Sequence, residues 1–346
     1  MDGRGTRGVS LRGWGGVAAM AVACALTAVF ALLLPLTQRA GTGGDGSTGY
    51  GSGGVADGTQ AAAKDCDPKV KDKEPERSLN PASGSDDGDA VRAIKDRGYL
   101  SVGVDQNSYR WGYRDPNSEA KTAELEGFDI DLAREMADRI LGDPTKVHFH
   151  AIPTNQRIPA IQRDEVDMVV RTMTISCDRL EQVDFSTAYF QTGQQVLAPK
   201  TSKITGYDES LADKRICTAK GSTAEKALGD DKTAKKLPAS TDISTTVPNQ
   251  LDCLVRLQLG EVDAVVTDGA LAASQAAQDP TVELKGKPFT EEYYGIAMKK
   301  GSDDLVRRVN GALEDYREDG GWQKSYDKWL KPALGASSGP PAPKYK

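Results

Sequence analysis

The stretch from Asp167 to Ser186, DMVVRTMTISCDRLEQVDFS, constrains this chain more than any other. Met168 to Val170 is a short apolar run that reads as a buried strand. Hydroxyls and guanidinium groups follow at once, in Arg171, Thr172, Thr174, Ser176 and Arg179. A buried strand ending in such residues belongs at the carboxyl edge of an open α/β sheet, where ligands collect. Arg179 suits a carboxylate, which a guanidinium holds through two parallel hydrogen bonds, and the Thr174 hydroxyl adds a donor beside it. The competing reading makes Arg179 a surface residue paired to Asp178 or Glu181.

The 346 residues suffice for two domains. A net charge of −6, with no dense Lys/Arg run, argues against a nucleic-acid partner. Arg4, Arg7 and Arg12 precede an almost wholly apolar segment from Trp14 to Leu36. That segment is longer than the roughly 7–15 residues of a cleaved signal core and approaches the roughly 20 that span a bilayer. Arginines on its N-terminal side keep residues 1–13 in the cytoplasm and send the rest outside. The expectation is a membrane anchor over 14–36; a cleaved signal and a lipoprotein at Cys24 are the alternatives. Residues 37–89 are rich in Gly, Ser, Asp and Lys and read as a flexible extracellular tether. The Pro-, Gly- and Ser-rich tail, 336–346, reads as disordered.

Between these ends the chain alternates strand and helix patterns, as an α/β fold requires. Strands are expected at Leu100 to Val104, Val147 to Ala151, Arg215 to Ala219 and Ala264 to Thr267. Ala133, Met136, Ala137, Ile140 and Leu141 share one face of a helix that Gly142 closes. His148 and His150 share a strand face, but two side chains without carboxylates make a poor metal site. Lys220-Gly221-Ser222-Thr223 opens a helix and offers backbone N–H groups to an anion, without the Gly-Lys-Ser/Thr of a phosphate loop. Asp268, at a strand end, reads either as a cleft carboxylate or as a helix N-cap.

The Asp167–Ser186 stretch resembles the type II solute-binding proteins of family 3, the polar amino-acid binding proteins of ABC importers. Gly127-Phe128-Asp129-Ile130-Asp131-Leu132-Ala133 is similar to the family's glycine-aromatic-acidic signature, and Glu291-Glu292-Tyr293-Tyr294-Gly295-Ile296-Ala297 to its return strand. The likeness runs from about Ala93 to Leu330 and leans to the glutamate/aspartate/glutamine branch of actinobacterial type. It implies a periplasmic binding protein type II fold. Lobe 1 would be 90–195 plus 293–335 and lobe 2 would be 196–292, with the cleft between them and two crossover strands.

The resemblance also implies roles. Arg179 would hold the ligand's α-carboxylate with Thr174 and the Thr172 backbone, and Asp268 its α-ammonium. Thr154 and Arg157 match the positions that hold a side-chain carboxylate in the glutamate/aspartate branch, and Arg171 adds a positive charge. The Gly221-Ser222-Thr223 turn would complete the carboxylate cage. Ser108 stands where relatives carry a stacking aromatic, so Tyr109 or Trp111 would supply the wall, unless Trp111 is core. Asp105 would repel a second carboxylate, which leaves glutamate, aspartate, glutamine and asparagine all open. Of the five cysteines, Cys24 lies in the apolar segment. The other four form an even set in an oxidising location and are paired as Cys217–Cys253 and Cys66–Cys177, with free thiols the alternative. Zinc is disfavoured because no Cys-x-x-Cys occurs.

The implied function is extracytoplasmic capture of glutamate or a related amino acid for an ABC permease, with no cofactor and no catalysis. The alternatives are a membrane-anchored amino-acid sensor and, more remotely, an enzyme on the same fold.

Overall fold

A computed structural model describes residues 74–115 and 124–346. The apolar segment from Trp14 to Leu36 and Cys66 lie outside them. Among the described residues no helix is long and apolar enough to cross a membrane.

Helix α1 (Asp89–Arg97) buries Val91 and Ile94 and stops at Gly98, whose left-handed backbone no side chain strains. Strand β1 (Leu100–Val104) is buried throughout. The chain then turns through a small antiparallel sheet of Asn107–Ser108, Gly112–Arg114 and Leu125–Glu126. Gly127 follows at φ 130°, and a Cβ there would meet the Trp111 carbonyl oxygen at 2.4 Å. Only glycine lets the chain enter helix α2 (Phe128–Leu141) at this point. The α2 face of Leu132, Ala133, Met136, Ala137 and Ile140 is buried, as its spacing requires. Strand β2 (Val147–Ala151), helix α3 (Arg157–Gln162), strand β3 (Met168–Val169), helix α4 (Cys177–Leu180) and strand β4 (Val183–Phe185) complete this part.

Strand β5 (Phe190–Thr192) leads into β6 (Gln194–Pro199), the first strand of a second sheet. That sheet takes in β7 (Arg215–Ala219), helix α5 (Thr223–Thr233), β8 (Asp242–Val247), helix α6 (Gln250–Gln258), β9 (Ala264–Asp268), helix α7 (Gly269–Gln278) and β10 (Val282–Lys285) in order along the chain. Strand β11 (Glu292–Tyr294) returns beside β5, and β12 (Ala297–Lys299) rejoins the first sheet. Helices α8 (Asp303–Glu318) and α9 (Gly321–Trp329) then cover α2 with Leu305, Val309, Leu313, Tyr316, Trp322 and Tyr326.

The sheet orders are β2-β1-β3-β12-β4 for lobe 1 and β8-β7-β9-β6-β10 for lobe 2, each with five strands. β1, β2 and β3 are parallel and β12 antiparallel to its neighbours; β7, β8 and β9 are parallel and β6 antiparallel to β9. The antiparallel β5–β11 pair is the two-stranded hinge between lobes. Cys217 and Cys253 are disulfide-bonded, tying β7 to α6 inside a lobe-2 core. Cys177 is half-buried and has no disulfide partner among the described residues; its expected partner Cys66 lies outside them.

The described end of the expected tether, from residue 74, and the tail expected to lack order instead pack on lobe 1. Ser78 exchanges backbone hydrogen bonds with the tail, receiving from Lys346 N at 2.9 Å and donating to Lys344 O at 3.0 Å. Its hydroxyl donates to Phe185 O at 2.7 Å and accepts from Asn310 Nδ2 at 2.9 Å. Lys344 pairs with Glu74 and Glu76, and the Tyr345 hydroxyl donates to Glu314. Composition reports only that a segment has no core of its own; here each end borrows partners from the other and from lobe 1.

Candidate functional site

The carboxyl ends of β1, β3 and β9 bring the predicted residues to one buried cleft, walled by the hinge strands. The lobes meet across it. Thr154 N donates to Pro248 O at 3.0 Å and its hydroxyl to Gln250 Oε1 at 3.2 Å. Gly221, at φ 76°, lies with its Cβ position 2.9 Å from the Asn155 Cα, an approach any larger residue would block.

Three arginines are buried here: Arg157, Arg171 and Arg179. Arg171 is committed to protein groups. Its Nη2 pairs with Asp105 Oδ2 at 2.9 Å and donates to Asn249 Oδ1 at 3.2 Å, and Nη1 donates to the Thr154 hydroxyl at 3.0 Å. Asp105 also accepts from Gln106 N, Asn107 N and the Ser108 hydroxyl. This corrects two expectations. Both Nη atoms of Arg171 are engaged by protein groups, and the Asp105 charge is paired with it rather than aimed at a ligand.

Arg157 and Arg179 differ from Arg171. The Arg157 Nε donates to Thr154 O at 2.9 Å, and Nη1 to Arg171 O and Thr172 O at 3.2 and 3.3 Å. The Arg179 Nη1 donates to Thr174 O at 2.6 Å and Nη2 to Gly221 O at 3.2 Å. Among the described residues neither forms an ion pair. Burial pushes the pKa of both down; for Arg157 the charges of Arg179 and Arg171 push it further. Carbonyls rather than direct ion pairs align these guanidinium groups, while Glu292 and Asp268 act on Arg179 from a longer range.

On the acidic side, Asp268 ends β9 and accepts from Gln194 Nε2 at 2.5 Å. It starts α7 but its side chain makes no capping bond, so the N-cap reading does not hold. Burial and then the neighbouring Glu292 raise its pKa well above the carboxylate range. Glu292, on β11, accepts from the Thr174 and Thr223 hydroxyls at 2.6 and 2.9 Å, from Gln194 Nε2 at 3.1 Å and from Thr290 at 3.2 Å.

Some predicted contacts go elsewhere. The Thr172 N–H donates to Asp129 Oδ2 at 2.9 Å, not into the cleft, because the backbone turns at φ 40° there. Asp129 also accepts from the Tyr189 hydroxyl at 3.0 Å, and burial raises its pKa to about 7. The Ser222 hydroxyl caps α5 by accepting from Glu225 N at 3.1 Å, and the Gly221 N–H donates to Glu225 Oε2 at 2.6 Å. The turn's cage is therefore narrower than expected, and the Thr223 hydroxyl is engaged with Glu292. Trp111 is fully buried among Phe128, Phe190 and Tyr294, at 4.9 Å from the Phe190 centroid. It is core. Tyr109 instead reaches lobe 2, where it lines a small enclosed cavity with Leu251, Leu271 and Gln275.

Residue-level reasoning missed Gln194, Asn249, Gln250, Asp129 and Glu292 as members of the site. Asp129 and Glu292 lay inside the two flanking motifs, and for Asp129 its acidity between Phe128 and Ile130 was the available signal. Gln194 gave none.

Residues 100–332 match the bacterial extracellular solute-binding proteins, family 3, and the chain belongs to that family. It is 36% identical over 243 residues to the ABC transporter glutamine-binding protein GlnH of Bacillus subtilis, covering 70% of this chain and 85% of that protein. The glutamate-binding protein GluB of Corynebacterium efficiens is 30% identical over 273 residues, covering 75% of this chain and 87% of its own. Among solved structures, an ancestral arginine-binding protein bound to glutamine superposes with a TM-score of 0.61 at 35% identity, covering 69% of this chain and 99% of that one. These relatives are binding proteins, and the two lobes around one cleft are the arrangement they share with this chain.

Proposed function

We propose that this protein captures an α-amino acid with an acidic side chain, glutamate foremost, outside the cytoplasm and delivers it to the permease of an ABC importer. One observation carries the reading. Of three buried arginines in the cleft, only Arg171 has a carboxylate partner among the described residues. Arg179 takes the α-carboxylate and Arg157 the side-chain carboxylate, while Asp268 takes the ammonium. The Asp105–Arg171 pair removes the repulsion that had kept the amides level with the acids. Relatives named for glutamine and glutamate support an amino acid of this size. The apolar run from Trp14 to Leu36 tethers the domain to the membrane in this reading. Its length also favours a second reading, a membrane-anchored sensor. Uptake of labelled glutamate by cells deleted for the protein separates the two. Lost uptake supports the importer; unchanged uptake with an altered response to glutamate supports the sensor.

A further inference from the structure

Glu292 is the one charged group of the hinge pair that reaches both lobes. Its Oε2 accepts from Thr174 of lobe 1 at 2.6 Å and from Thr223 of lobe 2 at 2.9 Å. It is 8% exposed and Asp268 6%. The Gln194 amide donates to both carboxylates, which places them side by side. Among the described residues neither has an ion-pair partner. Two buried carboxylates side by side without a direct ion pair are unfavourable unless a proton or a cation joins them. A separate observation points to the cation. Gln194 is 1% exposed, and its Oε1 has no hydrogen-bond partner although its Nε2 touches both acids. A buried acceptor left unpaired is costly, and an ammonium has three N–H donors.

We infer that Glu292 couples recognition of the ligand's amine to lobe closure: with Asp268 it forms a two-carboxylate seat for the ammonium, while the same carboxylate bridges the threonines of the two lobes. The inference rests on the reading of Asp268 as the ammonium acceptor. Before binding, Asp268 carries a proton, in keeping with its raised pKa. When the ammonium enters, that proton leaves to solvent. Arg157, Arg179 and Tyr294 face the pair from lobe 1 and the hinge, and Asp268 is held high in spite of the two cations. Glu292 is a positioning residue for Thr174 and Thr223 and a specificity residue for the amine.

The test is calorimetry of the purified full chain with L-glutamate and with glutarate, its analogue without the amine, at pH 7 in two buffers of different ionisation heat. The wild type is expected to release a proton on binding glutamate and to bind glutarate at least about 100-fold more weakly, the scale for leaving a buried charge unpaired. Glu292→Gln, with an unchanged melting temperature, is expected to bind glutamate about 10- to 100-fold more weakly, to release no proton and to narrow the glutamate/glutarate ratio. Glutamate and glutarate weakened by one common factor, with proton release intact, would mean a merely structural Glu292 and overturn the inference. Wild-type binding of glutamate without proton release overturns it without recourse to any variant. Failure of the wild type to bind any amino acid overturns the proposed function and this inference together.

Discussion

Arg157 and Arg171 are both buried and both were expected to read the ligand, yet their partners differ. Arg171 ends its reach on Asp105; Arg157 meets only carbonyls. Arg157→Ala is therefore expected to weaken glutamate binding by about 10- to 100-fold and glutamine binding by less than about 5-fold, because only the acid loses a charge-assisted bond. Titration of both ligands checks it; equal losses would contradict the role of Arg157. Asp129 supplies a pH prediction. Its folded pKa of about 7 lies above its ordinary value, so the native state holds the proton more tightly than the unfolded chain. Its contribution to stability is present at low pH and is lost as pH rises through about 7. Thermal melts from pH 4.5 to 8 should show wild type falling relative to Asp129→Asn, with a slope that approaches about 1.4 kcal/mol per pH unit. At this scale the placement of Asp268 at a buried strand end and of Arg179 in the buried turn after a strand was legible, because a strand end followed by a charge is a local pattern. The Asp105–Arg171 pair and the Glu292 cluster were not, because their partners converge only when separate strands align.

Among the elements, helix α2 and strands β1, β2, β7 and β9 followed from periodicity and glycine stops, since burial of one face dictates both. The ends of the described chain did not. Ser78, Lys344 and Tyr345 form a short clasp that a Gly- and Pro-rich composition conceals. Removing residues 342–346 is expected to lower unfolding stability by about 1–2 kcal/mol through the loss of this clasp, with glutamate affinity unchanged. Denaturant unfolding and titration together check it. The disulfide between β7 and α6 closes a loop with a sequence separation of 36. Its loss in Cys217→Ala/Cys253→Ala should cost up to about 4 kcal/mol by chain entropy. Both cysteines are buried in a lobe-2 core and neither is among the cleft groups, so the double variant should bind glutamate within about twofold of wild type wherever it is folded.

For the molecule as a whole, two sheets joined by the β5–β11 pair place the cations on lobe 1 and Asp268 on lobe 2. In the proposed function an α-amino acid brings the complementary charges, and closing the lobes around it would satisfy both sides at once, a hinge closure of the kind such folds support. The architecture was legible because each lobe has its own strand-helix alternation. The contacts between lobes, such as Thr154 to Pro248 and Arg179 to Gly221, required both lobes in place. The most direct measurement is calorimetry of the purified chain against the twenty amino acids. Tight binding of glutamate or aspartate, with glutamine and asparagine weaker, is the predicted result. Preference for an amide over its acid, or no binding at all, would contradict the assignment of the Arg157–Arg179 cleft to an acidic amino acid.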